Sequence, residues 1–384
     1  MGMAEMRRDI EYLAGNLAHR GASTESERTA AEYIRERFSV HTPNTEIDDF
    51  FAIESPWLLF SSYYGEFLIV ALLAFWQPWF AFGYGAVVST LYLLEFSGYR
   101  VLALILPQYE TQNVVARILG DRPNKLFIVT AHYDTPKFSA VTSPQFQPWL
   151  RTMHLVVLAC MLAVLATCAA EALDVTGGEG YRFDLVIRWC AVTTLLCAAV
   201  ALFTCEYSGE FTRGASDNAS GVAVLLDLAH RFTQDRNDEA DIWLVATGSK
   251  ETWLSGMRHF MSTHRIDKSN TYFLNIDQVG SGALHYVSGE GLLQQFSSDR
   301  EMVRIAASEA PLHQASPLSW HGLPSDAFLP LSRGYKAMSI TATGGDGAYE
   351  DDSDRAGSID YATVTAAAAY AEAILRKLQR LPVL

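Results

Sequence analysis

Residues 125–135 read KLFIVTAHYDT. Apart from Lys125 and Thr130, the first seven residues are apolar, which is typical of a short strand buried on both faces of a parallel sheet. Three further short apolar runs have the same character: 241–247, 271–276 and 336–341. Helical patterns separate them, so the sequence predicts an α/β fold with a mainly parallel central sheet and helices on both faces.

Polar side chains stand just beyond the ends of these predicted strands. His132 ends the first, Lys250 and Glu251 follow the run at 241–247, and Asp277 follows the run at 271–276. Ligands of open α/β sheets bind at the carboxyl ends of the strands. We therefore expect a functional site at this edge.

Composition excludes some classes of protein. The chain has 384 residues, of which 49% are hydrophobic and 19% charged, with a formal net charge of −14. So acidic a chain is not expected to bind nucleic acid through bulk electrostatics. The five cysteines all lie between positions 160 and 205 without a CxxC pair, which favours neither a disulfide framework nor a zinc knuckle.

The apolar residues are concentrated in two regions. From Trp57 to Phe96 there is no Lys or Arg, only Glu66 and Glu95 carry charge, and Gln77-Pro78 divides the run. A second pair of uncharged runs covers 152–170 and 189–205. Runs of this length predict two transmembrane helical hairpins.

We place the first hairpin at 55–107 and the second at 149–205, which leaves 1–54, 108–148 and 206–384 for the α/β domain. These boundaries predict an integral membrane protein with about four spans in contact with a lipid bilayer. The alternatives are helices buried in a soluble domain or in an oligomer interface. A transporter that uses the two glutamates inside the first hairpin is a third possibility.

The side of the membrane follows from the flanking charges. No apolar signal segment follows the early arginines, and each hairpin leaves and returns on one side. Basic residues on the α/β side outnumber those at the opposite loop: Arg100, Lys137, Arg151 and Arg213 against Arg182 and Arg188. The bias predicts a cytoplasmic α/β domain.

The motif His132-Tyr133-Asp134 pairs an imidazole with a carboxylate two residues away, an arrangement that orients metal-binding histidines; a hydrogen-bonded strand-end histidine is the alternative. Asp217, within GASDNASG (214–221), could cap the following helix or bridge two cations. Glu251 and Asp277 supply further acids that an apolar core would not hold unpaired.

Seven motifs in order carry a resemblance to a known family: NVVAR (113–117), AHYDT (131–135), GASDNASG (214–221), GSKETWLSG (248–256), NIDQVGSG (275–282), SDAFLPLSRGYKA (325–337) and YEDDSDRAGSID (349–360). They are similar to motifs of the zinc-dependent exopeptidases of metallopeptidase family twenty-eight, which includes aminopeptidases, the glutamate carboxypeptidase type and glutaminyl cyclases. The resemblance covers about two-thirds of the chain.

The resemblance implies one or two zinc ions. His132 and Asp277 would bind one, Glu251 the other, Asp217 would bridge them, and Asp134 would support His132. A metal-activated water would then attack a peptide or amide carbonyl.

Two positions depart from the family pattern. Lys250 stands where the family has its catalytic glutamate, and Glu350 where it has its last histidine ligand. With Glu350 in place of that histidine, only carboxylate oxygens would hold the second metal, and such a site favours a harder ion than zinc. Alternatively, Lys250 and Glu350 could form an ion pair in place of that metal.

The sequence leaves two functions open. The chain is either an aminopeptidase-type hydrolase with an altered site or a catalytically inactive member that acts as a binding or scaffold module. Substrate and oligomeric state are not predicted.

Overall fold

The computed structural model describes residues 2–138, 149–175, 178–235, 239–345 and 353–382. The helices in these ranges are α1 (Met3–Glu11), α2 (Glu25–Ser39), α3 (Pro56–Leu73), α4 (Pro78–Phe96), α5 (Leu150–Ala172), α6 (Gly178–Ser208), α7 (Ser220–Gln234), α8 (Ser255–Thr263), α9 (Arg300–His313), α10 (Phe328–Ser332) and α11 (Tyr361–Gln379). The strands are β1 (Thr45–Ala52), β2 (Tyr109–Ile118), β3 (Lys125–His132), β4 (Lys137–Phe138), β5 (Glu210–Phe211), β6 (Ala240–Thr247), β7 (Thr271–Ile276), β8 (Gly282–Glu290), β9 (Phe296–Ser297), β10 (Ser316–Trp320) and β11 (Lys336–Gly344).

The main sheet has the order β1-β2-β6-β3-β7-β11-β8-β10, with β9 added to β8. Its four central strands, β6, β3, β7 and β11, run parallel and are the four strands that the sequence predicts. The sheet becomes mixed outside them, because β2 and β8 join this centre in the antiparallel sense. In the parallel register His132 lies beside Thr247, so β3 and β6 end at the same edge.

Helices cover both faces of the sheet, as predicted. Phe127 and Val129 of β3 belong to one core with α1, α2, α7, α9 and α11. Ile128, which points the opposite way, belongs to a second core with α8 and α10. The central strands are therefore buried on both faces, which explains their nearly continuous apolar sequence.

A break separates α1 and the short helical turn after it from α2. Thr24 is the N-cap of α2, and its side chain accepts the Glu27 N–H at 3.2 Å. The Glu27 carboxylate in turn accepts the Ser23 N–H at 2.7 Å and, with its other oxygen, the Ser249 N–H at 3.0 Å. The helix cap thereby also holds the loop that carries Lys250.

The four apolar helices are long enough to cross a membrane: Pro56–Leu73, Pro78–Phe96, Leu150–Ala172 and Arg182–Ser208. Within their apolar windows only 28–44% of the residues are buried. Most of their apolar surface therefore faces outward, which argues against helices buried in the core of a soluble domain. Pro78 begins α4, at the predicted division of the first hairpin.

Trp253 connects the first hairpin to the α/β domain. Its indole N–H donates to the Glu95 carbonyl at 3.2 Å. Its ring packs edge-on against Phe60 and Phe96, with centroid distances of 4.8 and 5.1 Å. Because Trp253 follows Glu251 by two residues, the first hairpin contacts the loop that bears the predicted site.

The charged residues inside the hairpins have structural partners. The Glu95 carboxylate accepts the Val101 and Leu102 N–H groups at 3.1 and 3.0 Å and so closes the end of α4. Glu66 accepts the Tyr84 hydroxyl. Arg188 is buried against the Ala74 carbonyl and pairs with Glu171 at 2.7 Å. These contacts account for both glutamates without a transport role.

Candidate metal centre

His132 is oriented by Asp134. Its Nδ1 lies 3.1 Å from the Asp134 carbonyl oxygen and 3.4 Å from Asp134 Oδ1. A carbonyl oxygen can only accept, so Nδ1 carries the hydrogen. The other ring nitrogen, Nε2, then presents its lone pair to the opposite side of the ring.

Three carboxylates face that nitrogen. His132 Nε2 lies 3.0 Å from Asp217 Oδ1, 3.3 Å from Asp277 Oδ1 and 4.0 Å from Glu251 Oε1. One donor atom each from His132, Asp217 and Glu251 fits within 4.8 Å. Because zinc–ligand bonds are about 2.0–2.2 Å long, the donors of one tetrahedral site stand about 3–4 Å apart. The sequence-predicted residues are thus brought together at spacings that one ion can bridge.

The donor set fits a divalent cation. Asp217 Oδ1 is buried and makes no hydrogen bond, which is costly for a carboxylate oxygen without a cationic partner. A nitrogen lone pair among three carboxylates also needs a proton or a metal between them. Imidazole with carboxylates is a ligand combination of zinc hydrolases.

The pKa values of the side chains in this cluster also indicate that it is stabilised by a positive charge. Burial and Lys250 act to lower the pKa of His132, but Asp277, Asp134 and Asp217 outweigh them and hold this pKa well above its usual value. Burial opposes ionisation of Asp217, yet Lys250 and His132 bring its pKa below the usual range. Burial raises the pKa of Glu251 against the opposing effect of Lys250. A proton on His132 therefore supplies the charge when no metal does.

Lys250 contacts one member of this cluster directly. Its Nζ is 2.5 Å from Glu251 Oε1, and its side chain is 7% exposed. The ammonium thus pairs directly with a predicted metal ligand. Glu350, the predicted last ligand and possible partner of Lys250, lies outside the described residues, so its role stays a prediction.

Asp134 also holds the Glu251 loop. Asp134 Oδ2 accepts the Glu251 N–H at 2.8 Å. In this loop Ser249, Trp253 and Leu254 have φ values of +50°, +66° and +61°, a region that non-glycine residues seldom occupy. The contacts of Asp134, Glu27 and Trp253 keep the loop in this conformation.

Asp354 supports Asp217 and was not predicted individually. Its carboxylate accepts the Ser216 and Asp217 N–H groups at 2.5 and 3.0 Å, and burial raises its pKa to about 7. Gln278 Nε2 donates to Asp217 Oδ2 at 2.9 Å. Both residues lie within the quoted motifs, which was the available signal.

Arg20 was missed as well. It is fully buried and donates to the Tyr133 carbonyl at 2.6 Å and the Gly214 carbonyl at 2.7 Å. Arg20 therefore ties the end of β3 to the loop of Asp217. Its position, far in sequence from the quoted motifs, gave no indication of this role.

Replacing Asp354 by asparagine is expected to weaken zinc affinity by about 10–100-fold, as losses of outer supporting groups do. The asparagine carbonyl oxygen can accept only one of the two backbone N–H groups. Its amide nitrogen, which is a donor, would face the other N–H group. Competition with a chromogenic chelator measures the affinity. Asp360→Asn, at the cap of α11 where the carboxylate accepts the Ala362 N–H, is the matched control. Unchanged affinity in Asp354→Asn contradicts the supporting role.

Stability of the metal-free chain should fall as pH rises. Burial raises the pKa of Glu27 to about 8, of Glu290 to about 7 and of Asp326 to about 6, against about 4 in unfolded chains. Their contribution to stability is complete below pH ~4 and is lost as pH rises through the folded-state values. We expect the melting temperature in EDTA to decrease between about pH 5 and 8.5. A flat or rising melting temperature contradicts these protonation states; Glu27→Gln should reduce the slope.

Comparisons with known proteins identify relatives in sequence and in fold. The sequence profile of Peptidase family M28 matches residues 200–375, a range that includes Asp217, Glu251 and Asp277. The chain therefore resembles peptidase family M28 over just under half of its length. A vacuolar membrane protease of Schizosaccharomyces japonicus is 38% identical over 69 residues, which are 18% of this chain and 8% of that protein.

Solved structures show that the chain has the fold of the zinc exopeptidases. The zinc aminopeptidase BSAP from Bacillus subtilis aligns with a TM-score of 0.56 at 14% identity, over 98% of this chain and 94% of its own. A glutaminyl cyclase from an Acidobacteriales bacterium aligns with a TM-score of 0.56 at 12% identity, over 98% and 94%. The predicted zinc-exopeptidase fold is confirmed, and four helices of the chain are long and apolar enough to cross a membrane.

Proposed function

We propose that the chain is a membrane-anchored, metal-dependent hydrolase of the aminopeptidase type, with an active site altered at Lys250. The convergence of His132, Asp217, Glu251 and Asp277 around one buried nitrogen supports it above all. His132, Asp217 and Glu251 would hold one zinc, and Asp277 stands at the distance of a further ligand. A second site that includes Glu350 would favour a harder ion or stay empty.

The bound ion would lower the pKa of a water and polarise the substrate carbonyl. The chain's own residues position these components. Asp134 fixes the His132 ring and the Glu251 backbone, while Asp354 and Gln278 fix Asp217. A protonated Lys250 cannot accept a proton from water. It holds Glu251 by an ion pair, so we expect slow hydrolysis.

One observation favours a second candidate. The direct contact of Lys250 with Glu251 places a positive charge where a metal would need its ligand, which weakens metal binding. The alternative is therefore an inactive M28 member that binds a peptide or a partner.

Turnover of aminoacyl arylamides distinguishes the two. The detergent-purified chain is assayed with zinc and then with chelator. The hydrolase proposal expects slow release of arylamine that is lost with chelator and returns with zinc. A rate equal to that of buffer, in a chain with zinc bound, supports the inactive member.

We also propose that the hairpins span the bilayer and that the α/β domain is cytoplasmic. Burial of Arg188 against Glu171 removes one basic residue from the far side, so the positive-inside bias grows. Reporter fusions in the loop between α5 and α6 test this sidedness. If a reporter that functions only in the cytoplasm is active when fused in that loop, the proposed sidedness is wrong.

A further inference from the structure

An open cavity connects the candidate metal centre with the membrane helices. Its volume is about 690 Å³ when the open solvent at its mouth is counted. Lys250 and Glu251 form part of its wall, and Trp57, Phe60 and Leu150 form another part. Trp57 and Phe60 lie in the first turns of α3, and Leu150 begins α5.

The membrane-side part of the wall is mainly apolar, with Ser55 and His154 as polar members, and is ordered by packing. Trp57, Phe60, Leu150 and Trp253 belong to the core of the hairpins, and Leu323 packs against that core. Among the lining residues, Phe60 and Trp253 stack edge to face at 4.8 Å. This part can accept a chain of methylene groups but offers little to a charged group.

The opposite part of the wall is polar and is shared with the centre. Lys250 also borders a second cavity, lined by Asp277, Gln278, Glu290 and Ser325. A molecule between the two cavities would therefore present polar groups to the acids and an apolar chain to the hairpins. The two cavities together therefore have a polar end and an apolar end, which match the two ends of such a molecule.

We infer that the natural substrate is an amide that carries a long apolar chain, received from the bilayer. The inference rests on the proposed hydrolase function and specifies its substrate class. The amide would lie at His132, Asp217 and Glu251, and the chain would extend along Phe60, Trp253 and Leu323 toward the starts of α3 and α5. Because α3 and α5 are long and apolar enough to cross a membrane, a chain already in the bilayer would reach the cavity along their first turns. Short hydrophilic peptides would leave the apolar part unfilled.

The first test needs no turnover. A long-chain acyl amide with a diazirine near the end of its chain is photolysed with the detergent-solubilised full chain, and labelled residues are mapped by mass spectrometry. We expect labels on Phe60, Trp253 or Leu323. Excess unlabelled long-chain amide should remove these labels, and an acetyl amide should not. Labels confined to outward-facing residues such as Trp79 and Trp189, or labels insensitive to the long-chain competitor, overturn the inference.

A matched pair of variants sharpens the result. Leu323→Trp fills the cavity from a half-buried loop position, whereas Leu312→Trp adds the same ring at a position on α9 that is 78% exposed. Labelling inside the cavity should fall several-fold in Leu323→Trp and stay unchanged in Leu312→Trp. Equal labelling in both variants contradicts the assigned path of the chain. Size-exclusion profiles confirm that both variants are folded.

The substrate inference and the proposed function fail differently. Hydrolysis of short and long amides at equal kcat/KM retains the hydrolase and overturns the long-chain specificity. Cavity labelling with no hydrolysis of any amide retains the ligand class and removes the hydrolase. If both hold, each added methylene should raise kcat/KM by at most about four-fold until the cavity is filled.

Discussion

Lys250→Glu is expected to raise the turnover of aminoacyl arylamides by about 10²–10⁴-fold, the usual contribution of a general base. The substitution removes the ammonium that lies 2.5 Å from Glu251 Oε1. It also places a carboxylate where the family resemblance puts the proton acceptor. Released Glu251 would then be available to a metal, so zinc affinity should rise as well. Initial rates at saturating zinc give the comparison.

Lys250→Gln separates the two effects of this change. Glutamine removes the positive charge but does not supply a base, so zinc affinity should increase while turnover stays within about ten-fold of wild type. If Lys250→Glu binds zinc fully and remains as slow as Lys250→Gln, loss of the base does not explain the altered site. The inactive-member alternative then gains support.

The double variant Lys250→Glu with Glu350→His tests whether the two departures from the family pattern act together. We expect it to bind more zinc than the wild-type chain.

Asp217→Asn is expected to reduce zinc affinity by more than about 100-fold, beyond the effect of losing an outer supporting group. Asp217 is the buried carboxylate nearest to His132 Nε2, at 3.0 Å. Asparagine has nearly the same shape and keeps an acceptor for Gln278, so the loss should reflect charge rather than folding. Turnover should fall in parallel with bound zinc.

Asp241→Asn is the control for this variant. Asp241 lies near the start of β6, at the opposite edge of the sheet, where its carboxylate accepts the Gly120 N–H at 2.9 Å. Its replacement should leave zinc affinity unchanged. Equal zinc affinity in Asp217→Asn and wild type would remove Asp217 from the ligand set.

The centre of the fold could be predicted because it is buried on both faces. A strand between helices needs apolar side chains on both sides, and 125–131, 241–247, 271–276 and 336–341 all became central parallel strands. The outer strands carry mixed patterns: β1 has exposed, half-buried and buried positions, and β10 is nowhere fully buried. Pairing with neighbours distant in sequence, rather than local pattern, decides such strands.

The site could be predicted only as far as its direct members. His132, Glu251 and Asp277 follow central strands, so their convergence is a consequence of the parallel register. Asp354 and Arg20 act through backbone groups of loops, and such contacts depend on the folded chain path. The pairing of Lys250 with Glu251 also required the structure, since adjacent residues in an extended strand would point apart. The loop conformation with positive φ at Ser249 brings them together.

Metal analysis of the purified chain shows whether the cluster around His132 binds zinc. The wild-type chain, incubated with zinc in detergent and passed through a desalting column, is assayed by elemental mass spectrometry. We predict about one zinc ion per chain in the wild-type protein and almost none in Asp217→Asn, because one imidazole and two carboxylates suffice for a zinc site. A folded wild-type chain that retains no zinc, or the same amount as Asp217→Asn, would contradict it.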